Sequence, residues 1–166
     1  RSHWTYAPLT PDNIAECEAA ARKRLADKPD RVAQLEALGR LRALTYKTFA
    51  LTGLRLAELC SLTVGQVELT GSEPYATLRA ADEKARRGAE IPLRLDLAAD
   101  LRRHLGERLR DAQDVASRER RPLPMQLPAD APLLDVASDA IRVLDRDLVA
   151  AGLAKRDERD RTFDIH

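Results

Sequence analysis

Arg55 and Glu58 stand three residues apart in the run Thr52-Gly53-Leu54-Arg55-Leu56-Ala57-Glu58-Leu59, directly after a Thr-Gly break in a long apolar helical pattern. An arginine at such a corner, where a new helix starts, can present its planar fork to a phosphate in a bidentate way. Glu58, one turn later on the same face, can hold that guanidinium in place. The pair equally suits an ordinary helix–helix corner with a surface ion pair, because i,i+3 pairs are common on helices. Lys84 is a second group with chemical potential. It lies in Ala80-Ala81-Asp82-Glu83-Lys84-Ala85-Arg86-Arg87-Gly88, a polar turn that ends in glycine. Tyr75-Ala76-Thr77-Leu78-Arg79 before it and Ala89-Glu90-Ile91-Pro92-Leu93 after it read as strands, with Pro92 marking an edge or an end. Five of the 28 basic residues are lysines, so a lysine in this turn is less accidental than an arginine would be. A solvated, charged hairpin tip is the other reading of the same turn. His166, the last residue, carries no information when taken alone.

In order, these pieces resemble the boxes of the tyrosine recombinases, the phage-integrase family of DNA strand-exchange enzymes. Thr52-Gly53-Leu54-Arg55 with Glu58 is similar to the first arginine box, Lys84 to the catalytic lysine of a β-hairpin upstream of an Ile-Pro-Leu-like strand, and Thr162-Phe163-Asp164-Ile165-His166 to the opening of a His-x-x-Arg box. The resemblance covers about residues 9 to 166. It implies a mainly α (α+β) integrase-like catalytic domain with a small three-stranded antiparallel β-sheet. It also implies catalytic roles for Arg55, Lys84 and His166, an orienting role for Glu58, and DNA contacts from Arg86 and Arg87. Double-stranded DNA is the expected partner, with homo-oligomers forming on it, and neither a metal, ATP nor any other cofactor is needed.

The implied reaction is phosphoryl transfer in which a tyrosine attacks a DNA phosphate. A 3′-phosphotyrosyl link forms and a 5′-hydroxyl is freed, so one hard step becomes two easier ones. Arg55 would stabilise charge on the non-bridging oxygens, Lys84 would protonate the leaving 5′-oxygen, and His166 would hydrogen-bond the phosphate or assist proton transfer. In the family a second arginine and the tyrosine nucleophile follow the position of His166, whereas Tyr6, Tyr46 and Tyr75 all precede it. The chain is therefore expected to be a partial catalytic domain over residues 1–166, with residues 1–9 a linker remnant, and to be inactive in DNA cleavage by itself. A non-catalytic DNA-binding module, a type IB topoisomerase-like enzyme and a helical scaffold with a structural Arg55–Glu58 pair are the rival readings.

The elements that must position these residues are mainly helical. Thr10-Pro11-Asp12 is a helix start, followed by a stripe of Ile14, Cys17, Ala21 and Leu25 and a break at Lys28-Pro29-Asp30. A second helix spans about residues 30 to 51, with Val32, Leu35, Leu38, Leu41, Thr45 and Phe49 on or near one face and Gly53 as its stop. Tyr46 reads as a core residue. A short helix over about residues 55 to 62 leads to a strand at residues 66–69, a turn at residues 70–74 and the lysine hairpin. Leu97, Leu101, Leu105, Leu109, Ala112 and Ala116 stripe the next helix, with His104 at its surface or boundary. Arg118-Glu119-Arg120-Arg121 is basic and reads as a solvated helix end or, alternatively, as a contact to a phosphate backbone. Residues 122–132 carry four prolines and form an irregular connection, which Leu133-Leu134 anchors to the core. A last helix begins at Ser138 or Asp139, carries Ile141, Leu144, Leu148 and Ala151, and ends at Gly152.

Length and composition fit a soluble single domain with one core: 44% of the 166 residues are hydrophobic and 33% are charged, which argues against intrinsic disorder. No apolar run has the length of a membrane span, and no signal peptide is evident. Cys17 and Cys60 lack metal or redox spacing and read as reduced, buried residues of a cytoplasmic protein. A net charge of +1 does not by itself indicate nucleic acid, although it leaves room for a local basic face.

Overall fold

The computed structural model describes residues 10–83, 86–137, 139–156, 159, 160 and 162. Its described elements are five α-helices, one 3-10 turn and a three-stranded antiparallel sheet. Two compact units divide the chain, one built from residues up to 40 and from 137 onward, the other from residues 41–136.

In the first unit, helix α1 (Pro11–Arg24) starts where the Thr-Pro pair predicts. The Thr10 N–H donates to Asn13 Oδ1 at 2.7 Å, which satisfies one donor of the helix start. Helix α2 (Pro29–Thr52) follows after a short turn and gives its first part to this unit. Arg22 of α1 donates to Glu36 Oε1 of α2 at 2.6 Å, beside a shallow groove lined by Ala21, Leu25, Val32 and Leu35. The expected apolar stripes are only partly covered here: Leu35 and Leu38 are 41% and 42% exposed, and Ile14 and Cys17 are exposed as well. Burial of Cys17 is thus corrected, because the α1 stripe outruns the surface that covers it.

Helix α5 (Ala140–Ala150) also belongs to the first unit. It buries Ala140, Val143 and Leu144, while Ile141, expected inside, is 38% exposed. The buried set has i,i+3 and i,i+4 spacing, and Ile141 falls off that face. Gly152 stops the helix at φ +68°, and Lys155 Nζ lies 2.7 Å from Asp145 Oδ1.

The second unit holds the better-formed core. The second part of α2 buries Leu44, Thr45, Thr48 and Phe49, whereas Tyr46 is only half-buried. Helix α3 (Leu56–Ser61) sends Leu59 inward, and Leu62 follows one turn later. Cys60 falls between these inward positions and is exposed, so its expected burial is corrected too. In α4 (Leu95–Arg118), Leu97, Leu101 and Ala116 are buried and Leu105 and Leu109 are half-buried, as the stripe predicts. Full burial of a leucine such as Leu59 or Leu101 contributes about 1.5–3 kcal/mol.

Strands β1 (Val67–Glu68), β2 (Tyr75–Leu78) and β3 (Ala89–Pro92) pair in chain order, with Val67 opposite Ala76 and Thr77 opposite Glu90. Ala76 and Leu78 alternate inward along β2. The first strand is shorter than expected because residues 64–66 turn as a 3-10 helix against the proline-rich connection. Val64 N–H donates to Ala131 O at 2.9 Å and Gly65 N–H to Ala129 O at 2.8 Å. A Cβ on Gly65 would lie 3.0 Å from Ala129 Cβ and from Ala129 O, so a side chain here would push the connection outward by a few tenths of an ångström. Arg108 Nη1 of α4 donates to Pro132 O at 2.7 Å, and Gln113 Nε2 to Pro124 O at 2.9 Å. Leu133 and Leu134 are buried, so the irregular connection is anchored as the sequence suggests.

Candidate functional site

The corner between α2 and α3 is built by consecutive backbone donors, each with its own acceptor. The Gly53 N–H closes the end of α2 on Phe49 O at 3.0 Å. The Leu54 N–H donates to Thr52 Oγ1 at 3.3 Å, and the Arg55 N–H to Glu58 Oε2 at 2.9 Å. Gly53 takes φ +67°, a left-handed conformation that glycine adopts at no steric cost and that commonly ends a helix. Leu54 is buried and pins the corner to the core. Arg55 then occupies the cap position of α3 with extended backbone, φ −74° and ψ 158°.

Glu58 binds Arg55 twice. Besides its bond to the backbone N–H, its Oε1 accepts from Arg55 Nη1 at 3.0 Å. The glutamate side chain is 8% exposed and that of the arginine 53%. A buried carboxylate therefore anchors a guanidinium that stands half in solvent. The guanidinium is thus held at one nitrogen and keeps about half of its side chain accessible to solvent. The helix start adds a weak favourable field, although six residues make a short dipole.

The hairpin between β2 and β3 is tightly turned where it is described. Asp82 N–H and Glu83 N–H both donate to Arg79 O, at 2.9 and 3.1 Å, and Arg79 Nε donates to Asp82 Oδ2 at 3.0 Å. Arg86 adopts φ +54° and donates its N–H to Glu83 O at 3.0 Å. The Arg87 N–H donates to Glu83 Oε2 at 3.1 Å. Gly88 closes the turn at φ +75°, where an added Cβ would sit 3.2 Å from Leu78 O. Arg86 and Arg87 are both exposed, so a polyanion could reach them. Lys84 and His166 lie outside the described residues. Of the expected site residues, Arg55 and Glu58 are brought into direct contact.

Three features escaped the sequence. The first is the Thr52 hydroxyl, which donates to Thr48 O at 2.7 Å while accepting from Leu54 N–H. The Thr-Gly break pointed to the corner but not to the hydroxyl's part in it. The second is an ion cluster centred on Lys47 of α2. Its Nζ lies 2.9 Å from Asp96 Oδ2 and 2.7 Å from Asp100 Oδ2 of α4, and Arg103 donates to the other oxygen of Asp100 at 2.8 Å. Hydrogen bonding to Lys47, chiefly, lowers Asp96 to about 2 and draws Asp100 below the usual carboxylate range. The two aspartates' bonds raise Lys47 in return. Spacing of Asp96 and Asp100 by four was the only signal in the sequence.

The third is the environment of His104, whose boundary position the sequence does predict. The residue is half-buried, its Nε2 has no hydrogen-bond partner, and burial first, then the Arg108 charge, hold its imidazole below the ordinary 6.5. In the basic end of α4, Arg121 Nε donates to Glu119 Oε2 at 2.6 Å, so part of its charge is offset locally. No group of His, Cys, Asp and Glu that could hold a metal ion occurs among the described residues, and none of their helices is long and apolar enough to cross a membrane. Comparison with protein-family models, with curated proteins and with solved structures finds no match to this chain.

Proposed function

We propose that the chain is part of the catalytic domain of a tyrosine-recombinase-like DNA strand-exchange enzyme. The observation that carries this reading is the Arg55–Glu58 corner, a half-exposed guanidinium fixed by a buried carboxylate at a helix start. It is supported by the order of the sequence motifs, in which Lys84 follows within a β-hairpin and His166 after that. The exposed Arg86 and Arg87 beside that hairpin suit contact with a nucleic-acid backbone.

In this reading a DNA phosphate sits against the outer face of the Arg55 fork. A tyrosine, placed by the resemblance after His166, attacks the phosphorus and displaces the 5′-oxygen. Negative charge grows on the non-bridging oxygens, where a pre-positioned arginine stabilises the transition state more than the ground state. Lys84 donates the proton that the departing oxygen takes up. The reverse attack by a 5′-hydroxyl of another strand restores a phosphodiester, so no external energy source enters.

The test expresses the protein from its complete reading frame and incubates it with nicked duplexes of random sequence. Cleavage near a nick loses the short leaving strand and traps the intermediate. The expected result is a covalent protein–DNA species on a denaturing gel, joined through a 3′-phosphate to a tyrosine. Retention of DNA without any covalent species would leave only a binding module. Relaxation of supercoils without strand exchange would point to a topoisomerase.

A further inference from the structure

We propose that Thr52 is a positioning residue for Arg55, acting through its hydroxyl and not through its bulk. The functional half of this inference rests on the reading above, while its structural half stands alone. Thr52 Oγ1 is the one side-chain oxygen that links the end of α2 to the strand of backbone entering α3 among the hydrogen bonds described. It donates to Thr48 O in the last turn of α2 and accepts the Leu54 N–H on the far side of Gly53. Thr48 in turn donates to Leu44 O at 2.8 Å and is itself buried, so the acceptor of Thr52 belongs to a firmly packed turn.

The geometry matters because of what lies on either side. Gly53 has no side chain and adopts a left-handed φ, so without a tether it is the freest joint of the corner. Leu54 is a buried residue, and its part-buried N–H would lose by having no acceptor. Thr52 supplies that acceptor within two residues, as serine and threonine hydroxyls do at turns. Glu58 fixes Arg55 from the C-terminal side, and Thr52 fixes the peptide that precedes it from the N-terminal side. The direction in which the Arg55 fork leaves the backbone is then set from both ends.

Thr52→Val keeps the volume and removes both hydrogen bonds, Thr52→Ser keeps the hydroxyl, and Thr52→Ala guards against misfolding caused by the valine. In the 166-residue chain, amide exchange and relaxation of the Arg55 side-chain Nε–H report on order at the corner. Thr52→Val and Thr52→Ala are expected to speed exchange at Leu54 and Arg55 by about tenfold and to loosen the Arg55 Nε–H, with α4 amides unchanged. Thr52→Ser should match the wild type. Arg55 dynamics unaltered in both hydroxyl-free variants would overturn the inference. In the protein from the complete reading frame, Thr52→Val should slow covalent attachment by about ten- to a hundredfold with DNA affinity retained, and serine should restore it. Attachment that depends on Arg55 but is indifferent to Thr52→Val would refute the positioning role alone. Attachment indifferent to Arg55→Ala would instead refute the proposed function.

Discussion

The Glu58 carboxylate accepts from both the backbone and the side chain of Arg55, at 2.9 and 3.0 Å, so one buried residue caps α3 and aims its first cation. Glu58→Ala should remove both effects. Such a capping contact is worth about 0.5–2 kcal/mol, and urea unfolding of the 166-residue chain should show a loss of that size. Glu58→Gln keeps one acceptor oxygen and should cost about half as much. An unchanged urea midpoint in Glu58→Ala would mean that the cap contributes nothing.

Gly53 offers a cleaner test of the corner's backbone. A Cβ there would meet no atom within 4 Å, yet φ is +67°. Gly53→Ala is therefore expected to destabilise through conformation alone, by about 1–2 kcal/mol. Gly53→Asn should cost less, because asparagine tolerates the left-handed region. Thermal unfolding of the two variants side by side checks the order; alanine more stable than asparagine would contradict it.

The Lys47–Asp96–Asp100 cluster predicts a stability loss in acid. Asp96 is lowered to about 2 in the folded chain from an ordinary 3.8, and Asp100 moves the same way. A carboxylate depressed by folding stabilises above its unfolded value and loses that contribution as pH falls through the folded value. The difference in urea midpoint between wild type and Lys47→Met should therefore be present near pH 5 and shrink towards about pH 2. High salt should also reduce it, since the groups are solvent-accessible. A difference that ignores both pH and salt would assign Lys47 a packing role only.

His104 works in a neighbouring pH range and by a different cause. Burial favours its neutral form, so the unfolded chain binds more protons just below 6.5. Stability should consequently rise with pH as it passes up through the range just below 6.5. His104→Gln should flatten that slope, and proton resonance titration should place the imidazole below 6.5. A midpoint above that value would show that the ring finds a partner for its charged form.

Legibility in the sequence followed the range of each interaction. The Arg55–Glu58 contact and the Gly53 stop are local, and spacing alone predicts both. The hairpin and the stripe of α4 were equally readable, because period-2 and period-3.6 patterns leave few alternatives. What escaped depends on neighbours distant in sequence. Lys47 meets aspartates some fifty residues on, with Asp100 separated from it by 53. The 3-10 turn at Val64–Gln66 exists because Ala129 and Ala131 supply acceptors. The apolar positions Leu35, Leu38 and Ile141 are exposed although they fit the helical pattern, because periodicity marks a face without saying what covers it.

Covalent attachment to nicked duplex DNA, followed over time for wild type and Arg55→Ala expressed from the complete reading frame, tests the central claim most directly. Arg55→Ala should keep the fold at some cost in stability, because its backbone N–H still reaches the buried Glu58 while Oε1 loses the guanidinium, yet form the adduct about a hundred- to a thousandfold more slowly. Arg55→Lys should recover little, as a point charge cannot replace a bidentate fork. Adduct formation by Arg55→Ala at a rate close to wild type would contradict the assignment of Arg55 to the DNA phosphate.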